Sequence, residues 1–239
     1  MPALFISDLH LSEDRPAANE RFIGFLENPA RAADALYILG DFFEYWVGDD
    51  DLAHPFNAVI AGLLRDLSRS GVALYFMHGN RDFLAGEGFC AATGAKLLED
   101  PTLVDLGGER TLLMHGDTLC TDDLDYQAWR RTARSAAWQQ AFLAKPLAER
   151  RHAVLGMREK SKAVVQAKPE EIMDVNEAAV RQVLAQHGAT RLIHGHTHRP
   201  GRHRVSVGDS QGERWVLPDW YGRGGYLRLG RGKPELVRF

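Results

Sequence analysis

The 239-residue sequence predicts an α/β fold interrupted by a helical insertion. Three observations carry that expectation. Short apolar runs rich in β-formers alternate with segments whose apolar residues recur at helical spacing. Five of these runs end in a polar cluster: Asp8-Leu9-His10, Gly40-Asp41, Gly79-Asn80-Arg81-Asp82, His115-Gly116-Asp117 and Gly195-His196-Thr197-His198. From Asp122 to about Lys168 the strand pattern stops, and tryptophan, leucine and arginine take over.

Taken in order, the runs at 3–7, 35–39 and 73–77 predict strands, each delivering one cluster. Segments 17–26 and 55–68 between them predict helices. Strand–helix–strand alternation implies parallel pairing, which gathers the clusters at the carboxyl ends of the strands. Runs 103–106 and 111–114, joined through Gly107-Gly108, predict a hairpin that delivers His115. The insertion carries Trp129, Trp138, Phe142, Leu143, Leu147, Leu155 and Met157; Pro146 and Gly156 punctuate it, predicting two or three short helices rather than one long one. Residues 176–187 predict a helix, 191–194 a strand, and the Gly-rich tail from Val205 short antiparallel strands.

Composition narrows the function classes. With 29 basic and 32 acidic residues the chain is not expected to bind nucleic acid generally. Charge is unevenly spread: residues 122–168 hold ten Lys/Arg against five Asp/Glu, so the insertion carries +5 and the remainder −8. Cys90 and Cys120 are too few for a disulfide scaffold and fit a reducing compartment. Residues 3–6 lead straight to Asp8 with no basic leader, which predicts no secretory signal. The longest stretch free of charged residues, 52–64, is shorter than the ~18 residues of a spanning helix.

The clusters point to metal chemistry. Alone, Asp-x-His and Gly-Asp are weak signals, since both occur in ordinary turns. In a strand, the two-residue period would put Asp8 and His10 on one face and let both reach one cation. Asp41 has two oxygens and can serve two cations. Asn80 offers a neutral oxygen ligand, while Arg81 is suited to grip phosphate oxygens as a bidentate fork. His115, His196 and His198 complete a mixed oxygen and imidazole set. Five such clusters in this order predict a di-metal phosphoesterase. His78 and His194 are expected to be structural or to hydrogen-bond a ligand rather than bind metal, and His54, His152, His187 and His203 to lie at the surface. Asp82 and Asp117 are expected to orient ligands or cap turns.

The same strings resemble the calcineurin-like metallophosphoesterases. Within that superfamily, Leu4 to Leu11, Ala35 to Glu44, Trp46 to Asp50, His78 to Leu84, Met114 to Asp123, Ile172 to Asn176 and Leu192 to Pro200 resemble the branch that hydrolyses a diacylated UDP-glucosamine in bacterial lipid A synthesis. The resemblance implies a four-layer α/β/β/α sandwich, with residues 1–121 and 171–239 as the core and 122–170 as a helical lid for acyl chains. It implies two Mn²⁺ ions per chain, one held by Asp8, His10, Asp41 and His198, the other by Asp41, Asn80, His115 and His196. Asn80, Arg81 and His196 would be catalytic, and Asn80, Arg81, Asp123, Ser161, Lys168 and His196 would contact substrate. Val165 departs from the family, which tends to place a polar residue there.

The implied reaction is attack of water on the α-phosphorus of UDP-2,3-diacylglucosamine, releasing UMP and 2,3-diacylglucosamine 1-phosphate (lipid X). The implied setting is the cytoplasmic face of the inner membrane, as a peripheral protein with no obligate protein partner. The segment as a whole is expected to bind acyl chains, with Trp129, Trp138, Phe142 and Leu143 able to line a cavity or touch lipid and Arg130, Arg131, Arg134, Arg150 and Arg151 able to sit against anionic headgroups. For any single one of these residues the better expectation is an ordinary helical cap, with apolar side chains packed inward and arginines solvated. The alternatives are a phosphoesterase of soluble nucleotides and a catalytically inert scaffold of the same fold. The basic, tryptophan-bearing insertion speaks against the first and the complete ligand set against the second.

Overall fold

The fold comes from a computed structural model that describes residues 2–168, 170–208, 210–230 and 233–239. Strands β1 (Ala3–Ile6), β2 (Ala35–Leu39), β3 (Ala73–Met77) and β4 (Lys96–Leu98) run parallel in one sheet. Helices α1 (Pro16–Phe25), α2 (Pro55–Arg69) and α3 (Glu87–Thr93) make the connections. The sheet is extended antiparallel by β10 (Gly225–Leu229) and β11 (Glu235–Arg238), giving the order β11-β10-β1-β2-β3-β4. A second sheet, β5-β6-β7-β9-β8, is built from β5 (Thr102–Leu106), β6 (Glu109–Leu113), β7 (Arg191–His194), β8 (Gly201–Val207) and β9 (Ser210–Val216).

Side-chain alternation along these strands makes the four expected layers. On β1, β2 and β3, Leu4, Ile6, Leu36, Ile38, Leu74 and Phe76 pack toward α1 and α2 with Phe22 and Leu64. Their neighbours Phe5, Tyr37, Leu39 and Met77 point the other way and meet Leu113 and Ile193 of the second sheet. On that sheet's far face, Leu112 and Leu192 pack against Val180 and Leu184 of α7 (Glu177–His187). Residues of period two are thus apolar on both faces, as strands buried on both sides require.

The tail departs from expectation in two respects. The first strand of the tail begins at Gly201 rather than Val205, and β9 lies parallel to β7 while pairing antiparallel with β8.

The insertion forms α4 (Leu124–Ala133), α5 (Ala136–Leu143) and α6 (Leu147–Ala167). Asp123 and Ser135 cap α4 and α5 by accepting from the backbone N–H groups of Tyr126 and Trp138. Pro146 does separate helices, but α6 runs 21 residues straight through Gly156, correcting the expectation of short helices only. A mid-helix glycine costs only about 1 kcal/mol, which neighbouring contacts offset.

The charge split between insertion and body also has its physical cause here. Arg150 pairs with Asp50 and donates to Val47 O, Arg151 pairs with Asp51, Arg130 Nε sits 2.7 Å from Asp117 Oδ2, and Arg158 pairs with Glu44. Arg134 donates to Gly79 O at 2.8 Å and lies over the Phe83 ring. Of the five arginines, Arg130, Arg134, Arg150 and Arg151 neither face headgroups nor stand solvated but fasten the basic insertion to the acidic body; Arg131 is exposed. Among the described residues, no helix is long and apolar enough to cross a membrane.

Candidate metal centre

At the carboxyl ends of β1 and β2 the chain continues as two laced loops. Asp8 N donates to Gly40 O at 3.1 Å, His10 N to Asp41 O at 3.0 Å and Leu11 N to Phe42 O at 2.9 Å. Asp8, His10 and Asp41 adopt left-handed backbone, with φ of 55°, 51° and 50°, and so do His196 and His198 after β7, with φ of 68° and 54°. L-residues other than Gly pay roughly 1–3 kcal/mol for such conformations, which collect where side chains must converge. The strand-period argument for Asp8 and His10 is therefore corrected: both lie beyond β1, and the left-handed turns, not a pleat, aim them at one point.

Two donor sets result, each with ligand atoms within 4.8 Å of one another: Asp8, His10 and His198, and Asp41, His115 and His196. Asp41 faces both. Its Oδ2 lies 3.8 Å from His10 Nε2 and its Oδ1 3.8 Å from His115 Nε2. Asn80 Oδ1 lies 3.0 Å from His115 Nε2 and 3.0 Å from His196 Nδ1, joining the second set. Asp8 Oδ1 is 3.2 Å from His198 Nε2, and its Oδ2 accepts from His196 N at 2.9 Å. Gly79 permits this closeness, because a Cβ there would collide with the backbone nitrogen and Oδ1 of Asp41.

Electrostatics fit a cation pair. Burial pushes His10 down to about 4; burial together with the neighbouring His115 pushes His196 down to about 4, so both offer neutral imidazole near pH 7. Burial also opposes charge on His115, yet Asp41, Asp117 and Asp8 hold it up to about 9. The carboxylates thus draw a proton onto a buried imidazole whose Nδ1 already faces Leu39 O at 2.9 Å. A divalent ion at Nε2 would supply that positive charge instead. The donor chemistry fits two divalent cations in a dinuclear metal centre.

The supporting residues behave as expected. Asp82 accepts from Phe42 N at 2.7 Å and Gly79 N at 2.8 Å, capping both ligand turns. Asp117 accepts from Tyr126 Oη at 2.7 Å. His78 Nε2 contacts Ala85 O at 2.6 Å, and the buried His194 contacts Gly195 O at 2.8 Å.

Beside the donors lies a cavity of about 430 Å³ roofed by the insertion. Trp129, Trp138, Phe142 and Val154 line it, as do Asn80, Arg81, Asp123, Ser161 and Lys168. His196 stays with the donor set, Leu143 does not line the cavity, and the side chain of Val165 lies outside the described residues. Arg81 Nε is buried with no hydrogen-bond partner. Three residues at this site escaped the sequence reading: Glu44, Arg158 and Tyr221. Glu44 stood unremarked in the Phe42-Phe43-Glu44 string; Tyr221, stacked on His10 at 4.8 Å, sits in the tail where no motif marks it.

The model of the calcineurin-like phosphoesterase family matches residues 1–200. A UDP-2,3-diacylglucosamine hydrolase of Aromatoleum aromaticum is 51% identical over 240 residues, covering 100% of this chain and 98% of the relative. Proteins of the same name from Chromobacterium violaceum and Pseudomonas putida (strain W619) are 52% and 50% identical, each covering 95% of this chain and 94% of the relative.

Proposed function

The chain belongs to the calcineurin-like phosphoesterase family, and on that premise we propose that it hydrolyses the pyrophosphate bond of UDP-2,3-diacylglucosamine to UMP and 2,3-diacylglucosamine 1-phosphate (lipid X). The observation that carries this reading is the contiguity of two donor sets, both faced by Asp41, with a tryptophan-lined cavity of about 430 Å³. Relatives named for that substrate, about half identical along nearly the whole chain, support it.

Asp8, His10, Asp41 and His198 would hold one divalent ion, and Asp41, Asn80, His115 and His196 the other; manganese suits such an oxygen and imidazole set. When bound, two such ions lower the pKa of a water and neutralise charge on phosphate oxygens. The chain's own groups do the rest. Arg81, its buried Nε unpartnered, grips the phosphate oxygens as charge grows on them. His196 and Asn80 flank the α-phosphorus and orient it. Lys168 and Ser161 hold the sugar phosphate, while Trp129, Trp138 and Phe142 take the acyl chains. The leaving group is a phosphate monoester with a second pKa of about 6, so it departs without a dedicated general acid.

A lipid substrate fits a peripheral protein at the cytoplasmic face of the inner membrane. Exposed Leu124, Trp129, Leu143 and Leu155 on the insertion support such contact. Residues 122–170 act as the lid and residues 1–121 and 171–239 as the catalytic core. Assay of purified protein with UDP-2,3-diacylglucosamine, with Mn²⁺ and with chelator, tests the reading. Metal-dependent release of UMP and lipid X is expected. Hydrolysis of a generic phosphodiester without turnover of the lipid would keep the metal centre and discard the substrate.

A further inference from the structure

Glu44 stands where three parts of the chain meet. Its backbone N–H donates to Leu11 O at 3.0 Å, beside His10, in a short parallel bridge between Leu11 and Phe43. That pairing fixes the Cα of Glu44 relative to the ligand turn. Its Oε2 lies 3.2 Å from His10 Nδ1, with both side chains largely shielded from solvent. His10 Nδ1 is buried and has no hydrogen-bond partner, and Glu44 Oε2 is the carboxylate oxygen that faces it. Tyr221 Oη donates to the same Oε2 at 3.4 Å, its ring stacked on His10. On the opposite side, Arg158 of α6 pairs with Oε1 and donates to Glu44 O at 2.6 Å.

A histidine that gives Nε2 to a cation must keep its proton on Nδ1, and a carboxylate facing that proton fixes tautomer and ring orientation. His115 meets this need with the carbonyl of Leu39. For His10 the group in place is the Glu44 carboxyl, whose other oxygen is paired with Arg158. We infer that Glu44 is a positioning residue for His10, holding Nδ1–H so that Nε2 is presented to the first ion, and is itself held by Arg158 from the insertion and Tyr221 from the tail. The inference rests on the two-ion reading of the centre. It also makes the first ion sensitive to the seating of the insertion, since Arg158 and His10 divide the two oxygens of one carboxylate.

Equilibrium titration of metal-free protein with Co²⁺, followed by the visible absorption of the bound ion and by stoichiometry, tests it. Outer partners of metal-bound histidines typically contribute about 10–100-fold in affinity. In Glu44→Ala the affinity of one ion is expected to fall by that amount with an altered absorption band, the second ion binding as in the unsubstituted protein. Glu44→Gln, which keeps an acceptor of the same length, is expected to recover much of the loss. Unchanged binding of both ions in Glu44→Ala overturns the positioning role, and so does equal weakening of both ions in both variants, which marks a general structural defect. If the unsubstituted protein takes up fewer than two ions, the two-ion reading itself falls.

Discussion

Lys168 Nζ lies 2.6 Å from both carboxylate oxygens of Asp123, so one ion pair between two residues of the cavity lining joins the two ends of the helical insertion. Asp123 also caps α4 through the N–H of Tyr126 at 3.1 Å, whereas Lys168 makes no such cap. Asp123→Ala therefore loses more than Lys168→Ala. The difference is expected to be about 1 kcal/mol, the usual worth of an N-cap, or a Tm roughly 2–4 °C lower for a chain of this size. Thermal unfolding of the two variants side by side checks it. In the same pair, KM for the lipid substrate is expected to rise in both.

Asp41 is the carboxylate whose two oxygens face both donor sets. Asp41→Ala should reduce turnover by more than the roughly 10²–10³ that loss of a single transition-state contact produces. Metal analysis should show both ions weakened. Substantial residual activity with two ions retained would refute the bridging role.

Arg81 touches Asp41 only through its backbone N–H, at 2.8 Å to Oδ1. Replacing the side chain leaves that hydrogen bond in place. Arg81→Ala should lower kcat about 10²–10³-fold with both ions still bound, and Arg81→Lys should recover little, since a point charge does not reproduce a bidentate fork. Loss of metal in Arg81→Ala would instead make it a structural residue.

Trp138 stacks on Phe142 with ring centroids 4.9 Å apart, inside the cavity lining. Trp138→Ala should raise KM for the diacylated substrate roughly tenfold, about 1.4 kcal/mol of lost apolar contact, while hydrolysis of a small phosphodiester changes little. Equal losses on both would reduce the insertion to an ordinary helical cap. Excising 129–150 is a poorer test, because it removes Arg134 from Gly79 O beside Asn80 and Arg150 from Asp50.

His115 carries the pH dependence of loading. Burial lowers its pKa, but Asp41, Asp117 and Asp8 more than reverse this and raise it to about 9. Below that value the metal-free protein holds a proton on His115 that an ion must displace, so binding releases a proton. Affinity for one ion should therefore rise with pH, approaching tenfold per unit below about 9, and level off above it. Titration of metal-free protein between pH 6 and 10 measures this slope; a flat profile would contradict the raised pKa.

How far the sequence reaches depends on the range of the interaction. The bounds of β2, β3 and β7 match the expected 35–39, 73–77 and 191–194, and α1, α2 and α7 fall within two residues of theirs. These elements announce themselves because residues a few positions apart share a face, and burial on that face selects an apolar side chain every second or every third to fourth residue. The five clusters were legible for the same reason: each sits just past a strand, where chemistry and glycine are adjacent in the chain.

The sequence by itself thus determined the strand order's raw material, the ligand-type residues and the division into acidic body and basic insertion. Tertiary structure alone decided how they meet. No local pattern marks the left-handed backbone at Asp8, His10, Asp41, His196 and His198, because an L-residue takes that conformation only when surrounding contacts enforce it. The arginines of the insertion turned inward for a related reason. Arg150 and Asp50 are 100 residues apart, Tyr221 and Glu44 are 177 apart, and a charge finds its partner only once the sheets have fixed where each segment lies. Short-range periodicity is written in neighbouring residues, whereas long-range pairing is set by topology.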